Sequence, residues 1–331
     1  MDLEDFKAYL QERKLEPEKI AEAVGIIQEF SKFISKPINN ATYEDFQDFS
    51  AYLIKNNKNT WDNYISILRY GYFKGNNLLI IASMEVIDGG EVMMNFSRRL
   101  IDEFGEDVRN EIFGELKIPP LGIHPKRKPT ITKELIDRFL KKVDRKKCAE
   151  FLVVGLRDKY PESYKAAREQ YLKAKDIDEF LDIQREDFLN KLKNHYEERS
   201  LFFTQEIDEE VLEYIKSQAG MTEAGIRNGN KVIMTKIPYM TKQYLNATDD
   251  REKRFYYCHC PWVRESLLDK YQTPIDPVFC NCSAGYYKNF WEAVLDQPVK
   301  VELLETVLKG DSVCKFALHL PQNIVDAVSK E

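Results

Sequence analysis

Long apolar runs are missing from this sequence. The run Leu78 to Met84 is far too short to cross a bilayer, which takes about twenty apolar residues. The N-terminus, Met1-Asp2-Leu3-Glu4-Asp5, is acidic and has no apolar core, which excludes a standard signal peptide. Strong charge of one sign is missing too. A net charge of −6 and a pI near 5.6 give the whole chain no electrostatic reason to seek nucleic acid or an anionic membrane. These absences predict a soluble cytoplasmic protein with no membrane partner. Hydrophobic residues make up 43% of the 331, enough for two or three domains with ordinary cores.

Cysteine is scarce as well, six in all, yet five of the six fall between Tyr256 and Phe316. Cys258-His259-Cys260 is followed by Pro261-Trp262, and Cys280-Asn281-Cys282 by Ser283-Ala284-Gly285. In a reducing compartment such spacing points to metal ligands or reactive thiols rather than disulfides. Pro261 fits the first turn of a helix, and Ser283 is a suitable N-cap for the apolar series Tyr286, Tyr287, Phe290, Trp291, Val294. Both pairs are therefore predicted to sit just before helix N-termini, where the dipole and free N–H groups favour thiolate. Cys148 stands apart, in a predicted helix.

Residues 1–120 read as helical throughout. Ile20, Val24, Ile27, Phe30, Phe33 and Ile34 keep helical spacing, as do Phe46, Phe49 and Leu53, then Trp61, Tyr64, Ile65, Leu68 and Tyr72. In the order of its elements this segment resembles the core-binding domain of tyrosine recombinases. Phe6 to Leu10, the run around Phe30, Tyr43-Glu44-Asp45-Phe46 and Thr60 to Leu68 carry the likeness. That resemblance implies a DNA clamp, but residues 1–125 hold 14 Lys and Arg against 21 Asp and Glu. An acidic clamp repels phosphates. The family's catalytic arginines, histidine and tyrosine have no recognisable counterpart later in the chain, so recombination is excluded and nucleic acid is not an expected partner. A packing or dimerisation role, including a homodimer, is the reading retained.

Structure breakers cluster from Ile118 to Pro125, and a helical middle segment, 126–217, follows. It opens with ten Lys or Arg against three acids between Lys126 and Lys147, but Ile131, Leu135, Phe139 and Val143 form one apolar stripe, so these charges read as a solvated face. His124 and His195 are expected at the surface. Asn228-Gly229-Asn230 is turn chemistry, and Lys231 to Pro238 reads as a strand. Val299, Val301 and Leu303 alternate with polar neighbours. A turn at Lys309 to Ser312 then leads into Cys314, Phe316, Leu318 and Leu320, an antiparallel hairpin. The predicted fold class is α+β: an all-helical N-terminal domain, the helical middle segment and an α/β C-terminal domain, residues 225–325, with an antiparallel sheet.

Within that last domain, Cys280-x-Cys282-x-x-Gly285, a helix ending near Gln297-Pro298, a strand with Glu302 and Glu305, and Gly310-Asp311-x-x-Cys314-x-Phe316 together resemble the 4-vinyl-reductase-type domain, over about residues 225–322. The resemblance implies a small α/β module that binds small, often hydrophobic molecules, and in sensor members a zinc ion held by cysteines and a glutamate. Carried over, the ligands are Cys280 or Cys282, Glu305 and Cys314. Where a further cysteine is expected this chain has Thr306-Val307-Leu308, so Cys258 or Cys260 must complete the set. The string from Lys236 through Trp262 also resembles part of a bacterial family of unknown function, which implies no activity.

The expected function is a cytoplasmic, sensor-like, small-molecule-binding protein with zinc on Cys258, Cys260, Cys280 and Cys282, and with Glu305 and Cys314 as reserve ligands. Aromatic residues crowd the cysteines, so Tyr239, Trp262, Tyr286 and Trp291 are expected to line a pocket for a partly hydrophobic ligand. Lys236 and Arg264 would orient an anionic group there. The alternative is a cysteine-dependent, hydrolase-like enzyme with a thiolate from either motif and His259 as base.

Overall fold

The computed structural model describes residues 3–158, 161–218, 220, 224–269 and 274–328, so residues 159 and 160 of the middle segment lie outside it. The chain divides into two compact units, Met1–Met93 with Lys117–Lys128, and Met94–Leu116 with Pro129–Glu331.

The first unit is helical: α1 (Leu3–Glu12), α2 (Pro17–Ile34), α3 (Tyr43–Lys55), α4 (Trp61–Lys74) and α5 (Asn77–Ile87). Side-chain caps start three of them, Thr42 at α3, Thr60 at α4 and Asn76 at α5, each accepting from the N–H three residues on. The apolar stripes read from the sequence form one core, in which Phe30 stacks on Phe49 at 4.6 Å. Gly122 returns the chain to that core. Its φ of +86° and an ideal Cβ only 1.9 Å from Tyr64 Oη admit no side chain there.

The predicted limit of this domain, residue 120, differs from the observed one. Residues 94–116 cluster with the second unit, because the rings of Phe96 and Phe104 pack against Phe139 and Phe151 rather than into the N-terminal core. These rings lie on α6 (Val92–Phe104), α8 (Lys128–Lys142) and α9 (Arg145–Val153), with α7 (Glu106–Phe113) between α6 and α8. Next come α10 (Lys165–Lys173), α11 (Ile177–Glu198), the short hairpin β1 (Leu201–Phe202) and β2 (Gln205–Glu206), and α12 (Glu209–Ser217).

The C-terminal part holds β3 (Ile226–Asn228), β4 (Lys231–Thr235), α13 (Thr241–Asn246), α14 (Asp250–Tyr257), α15 (Asn281–Leu295), β5 (Lys300–Glu305), β6 (Lys315–His319) and α16 (Gln322–Val328). The sheet is antiparallel throughout, in the order β3-β4-β6-β5, and the fold class is α+β. The expected hairpin is β5–β6, with Val301 opposite Leu318 and Glu305 opposite Lys315. Helix α15 lays Ala284, Tyr287, Trp291 and Val294 into a core with Val232, Met234, Phe316 and Leu318. Its other neighbour is α9, approached so closely that a Cβ on Gly285 would lie 2.6 Å from Gly155 Cα. No described helix is long and apolar enough to cross a membrane.

Candidate functional site

Three segments bring five cysteines together. Cys258 caps the C-terminus of α14, and Cys260 follows in the turn where its carbonyl accepts from the N–H groups of Val263 and Arg264. Cys280 closes the 3-10 turn Pro277–Cys280 and stands at the N-cap of α15; Cys282 lies in that helix's first turn. Asp276 fixes the turn by accepting from the Val278 N–H while it is held at 2.8 and 2.6 Å by both arms of the Arg145 guanidinium. Cys314 precedes β6, and its carbonyl accepts from the Lys236 N–H.

The two pairs are not both at helix N-termini, as the sequence suggested. Pro261 lies in a turn, and Cys258 sits at a helix C-terminus, where the dipole opposes negative charge. Helix α15 begins two residues before Ser283, so Cys282 is inside it. Cys258 is buried, and the other four cysteines of the group are half-buried. Burial pushes the Cys258, Cys280, Cys282 and Cys314 thiols up, and neighbouring groups add to it. Cys258 feels Cys260 and Cys314; Cys280 feels Cys314, Cys258 and Cys260. Cys282, pushed up to about 11, feels Cys260 among the thiols but also Arg157 and Lys236, which pull the other way. Desolvation and mutual repulsion thus outweigh the helix dipole, against the expected thiolate-favouring setting.

Donors nonetheless point at the sulfurs. Thr306 Oγ1 donates to Cys280 Sγ at 3.1 Å and receives the Cys314 thiol at 3.9 Å. Backbone N–H groups of Cys260, Leu156 and Val307 reach Cys258, Cys282 and Cys314 respectively. The Leu156 amide follows a loop that Arg99 holds through the carbonyls of Phe151, at 2.6 Å, and Gly155, at 3.3 Å. Thr306 and Val307 stand where the resemblance would put another cysteine, and their contribution of a hydroxyl and an amide arises from tertiary contacts that no local motif signals. Among the described residues no three or more His, Cys, Asp or Glu side chains are arranged so that they could hold a metal ion as they stand.

The remaining predicted site residues scatter. Glu305 pairs across the hairpin with Lys315 at 2.5 Å. His259 Nε2 lies 2.8 Å from the Ile237 carbonyl, so that nitrogen carries the proton and the ring is no base through it. Lys236 adjoins the thiols, with Nζ 3.4 Å from Ser283 Oγ. Arg264 is buried, its guanidinium 4.6 Å above the buried Tyr239 ring. Trp262 is buried, and its carbonyl accepts from Thr132. Trp291 belongs to the core, donating to Met234 Sδ, while Tyr286 is exposed. None of these six is among the residues that line the described cavity. That cavity, of about 290 Å³, is lined instead by Arg251, Arg254, Val307, Leu308 and Lys309, among others.

Residues 244–325 are similar to a family of unknown function, DUF6144, a stretch that holds all five clustered cysteines. No curated protein and no solved structure matches the chain.

Proposed function

We propose that this is a cytoplasmic small-molecule-binding protein, sensor-like in character, with a soft metal ion such as zinc held by thiolates of its second unit. The observation that carries the reading is the convergence of five cysteines from three segments, four of them with an N–H or O–H donor directed at sulfur. Such donors are spent on thiols to little effect but strengthen thiolates, as the outer shell of a metal site does. Their charged forms repel one another, so the thiols stay protonated until a cation neutralises the set. The bound ion would supply that charge and tie three segments together. Cys258, Cys260, Cys280 and Cys314 are the thiols whose charges act on one another in Cys258 and Cys280, and they are the favoured ligands. Elemental analysis of whole protein purified without chelator tests this: near-stoichiometric zinc is expected, and less than about a tenth of an equivalent refutes it.

One observation favours the cysteine-dependent enzyme instead. Cys282 is the thiol on which Arg157, Lys236 and the Leu156 N–H act in favour of thiolate, although burial outweighs them and its pKa stands raised at about 11. Alkylation of Cys282 by iodoacetamide at neutral pH, faster than that of free cysteine and unaffected by zinc, would support that reading over the metal centre.

A further inference from the structure

The cavity of about 290 Å³ is lined in part by the Val307–Gly310 turn, whose Val307 amide reaches Cys314. Three cations line it. Arg251 and Arg254 come from α14, and Lys309 from the turn between β5 and β6. Among the described residues none of the three forms an ion pair, and one terminal nitrogen of Arg251 is shut off from solvent with no hydrogen-bond partner. Asp269, at an exposed position, is the one acid among the lining residues. Leu267, Pro274, Ile275, Val307 and Leu308 make the rest of the wall largely apolar.

Helix α14 is built against its own interest to provide this. Arg251 occupies the first turn, where the dipole disfavours a cation, although Asp250 and Glu252 beside it obey the rule. Arg254, three residues on, shares its face, and like charges at that spacing repel. A buried guanidinium nitrogen without an acceptor adds a desolvation cost. Departures from local preference of this kind gather at functional sites, and one anion in the cavity would relieve both the clash with the dipole and the repulsion between the two arginines.

We infer that the cavity binds a small organic anion: a phosphate or carboxylate gripped by Arg251, Arg254 and Lys309, carried on a short apolar body against Ile275, Val307 and Leu308. Two guanidinium forks suit either oxyanion, and the volume sits at the lower end of ligand pockets, which start at about 300 Å³. This names a ligand class for the proposed small-molecule-binding function and does not depend on the metal.

The test is calorimetric titration of the full-length protein with phenyl phosphate, benzoate, inorganic phosphate and the neutral analogue benzyl alcohol. Saturable one-to-one binding is expected for phenyl phosphate or benzoate, tighter than for inorganic phosphate, with none for benzyl alcohol. The tighter of the first two says which oxyanion the site takes. R251Q and R254Q should each weaken binding on the order of tenfold, as loss of a charge-assisted hydrogen bond does. K309E, at an exposed turn where folding is not at risk, should abolish it, while K300Q on β5 should change nothing. Binding of neither anion at millimolar concentration, or binding undiminished by K309E, overturns the proposal. Zinc measured on the same preparations separates the two readings. Zinc-loaded protein that ignores the anions sinks this one alone, and zinc-free protein that binds them sinks only the metal centre.

Discussion

Cys280 and Cys314, on different segments of the second unit, meet at one hydroxyl: Thr306 Oγ1 donates to Cys280 at 3.1 Å and accepts from the Cys314 thiol at 3.9 Å. Thr306 is itself buried and tied down, its N–H donating to Asp311 and its hydroxyl accepting from the Leu308 N–H. The bridge ties Cys314, expected from the sequence as a reserve ligand, to Cys280.

The first prediction follows from that bridge. C314S should lose most of the zinc and lower the melting temperature of the second unit, because metal-binding free energy is folding free energy. C282S, which removes the thiol on which Arg157, Lys236 and the Leu156 N–H already act, should keep it. Equal loss of zinc from both variants would contradict the ligand assignment. T306C should bind zinc at least as well as the natural chain, since it adds a thiolate between two ligands.

The second concerns pH. A thiol whose folded pKa is raised contributes stability that is fully present below its unfolded pKa and lost as pH rises through the folded one. For Cys282 that window runs from about 9 to about 11. Reduced, chelator-treated protein should therefore lose stability over this range, and C282S should flatten the slope. Zinc reverses the sign, because protons compete with it for sulfur. Metal-loaded protein should lose its metal as pH falls, and loading at pH 7.5 in weak buffer should release close to one proton per thiolate ligand. Release of one proton or none would speak against a thiolate set.

Much of the fold was legible because it rests on period and turn chemistry. The α2 to α4 stripes, the β4 strand and the β5–β6 hairpin all follow from spacing alone. The end of the first unit was not legible. Phe96 and Phe104 show helical spacing, but period does not say which core a stripe joins. The cysteines were visible as a group. Their surroundings were not, since Thr306 and the Leu156 and Val307 amides reach the sulfurs through tertiary contacts. The cavity arginines had one overlooked signal, a basic pair three residues apart in the first turns of a helix.

A third prediction sets two glycine-to-alanine changes against each other. Gly25 is exposed within α2, and an added Cβ meets nothing within 4 Å. Gly25→Ala should therefore stabilise the first unit by about 0.5–1 kcal/mol through lower unfolded-state entropy. Gly285→Ala drives its Cβ to 2.6 Å from the Gly155 backbone and 2.8 Å from the Val153 carbonyl. None of these atoms is the end of a flexible side chain, so α15 must shift from α9 at a cost of about 1–3 kcal/mol. Separate melting transitions report the two effects, and a stabilising Gly285→Ala would contradict the packing described.

The last prediction concerns nucleic acid. The recombinase-like order of helices invites a DNA test, and electrostatics decides the expected answer. Binding to duplex draws most of its free energy from cations that displace counterions, with a steep salt dependence. The first 125 residues carry 14 basic against 21 acidic side chains, and several cations there are already paired, Lys19 with Glu22 and Asp62, Lys36 with Asp45, and Lys58 with Glu29. The basic stretch from Lys126 to Lys147 is partly neutralised too: Lys133 pairs with Asp137, Arg138 with Glu134, and Lys147 with Glu103 at 2.7 Å. The whole protein should therefore leave duplex DNA unshifted at physiological salt. Weak retardation at low salt that vanishes near 150 mM would fit screened, nonspecific attraction on the scale of the Debye length of about 8 Å. A sequence-dependent complex surviving at 150 mM would require a cationic face that these ion pairs leave no room for, and would reopen the clamp reading.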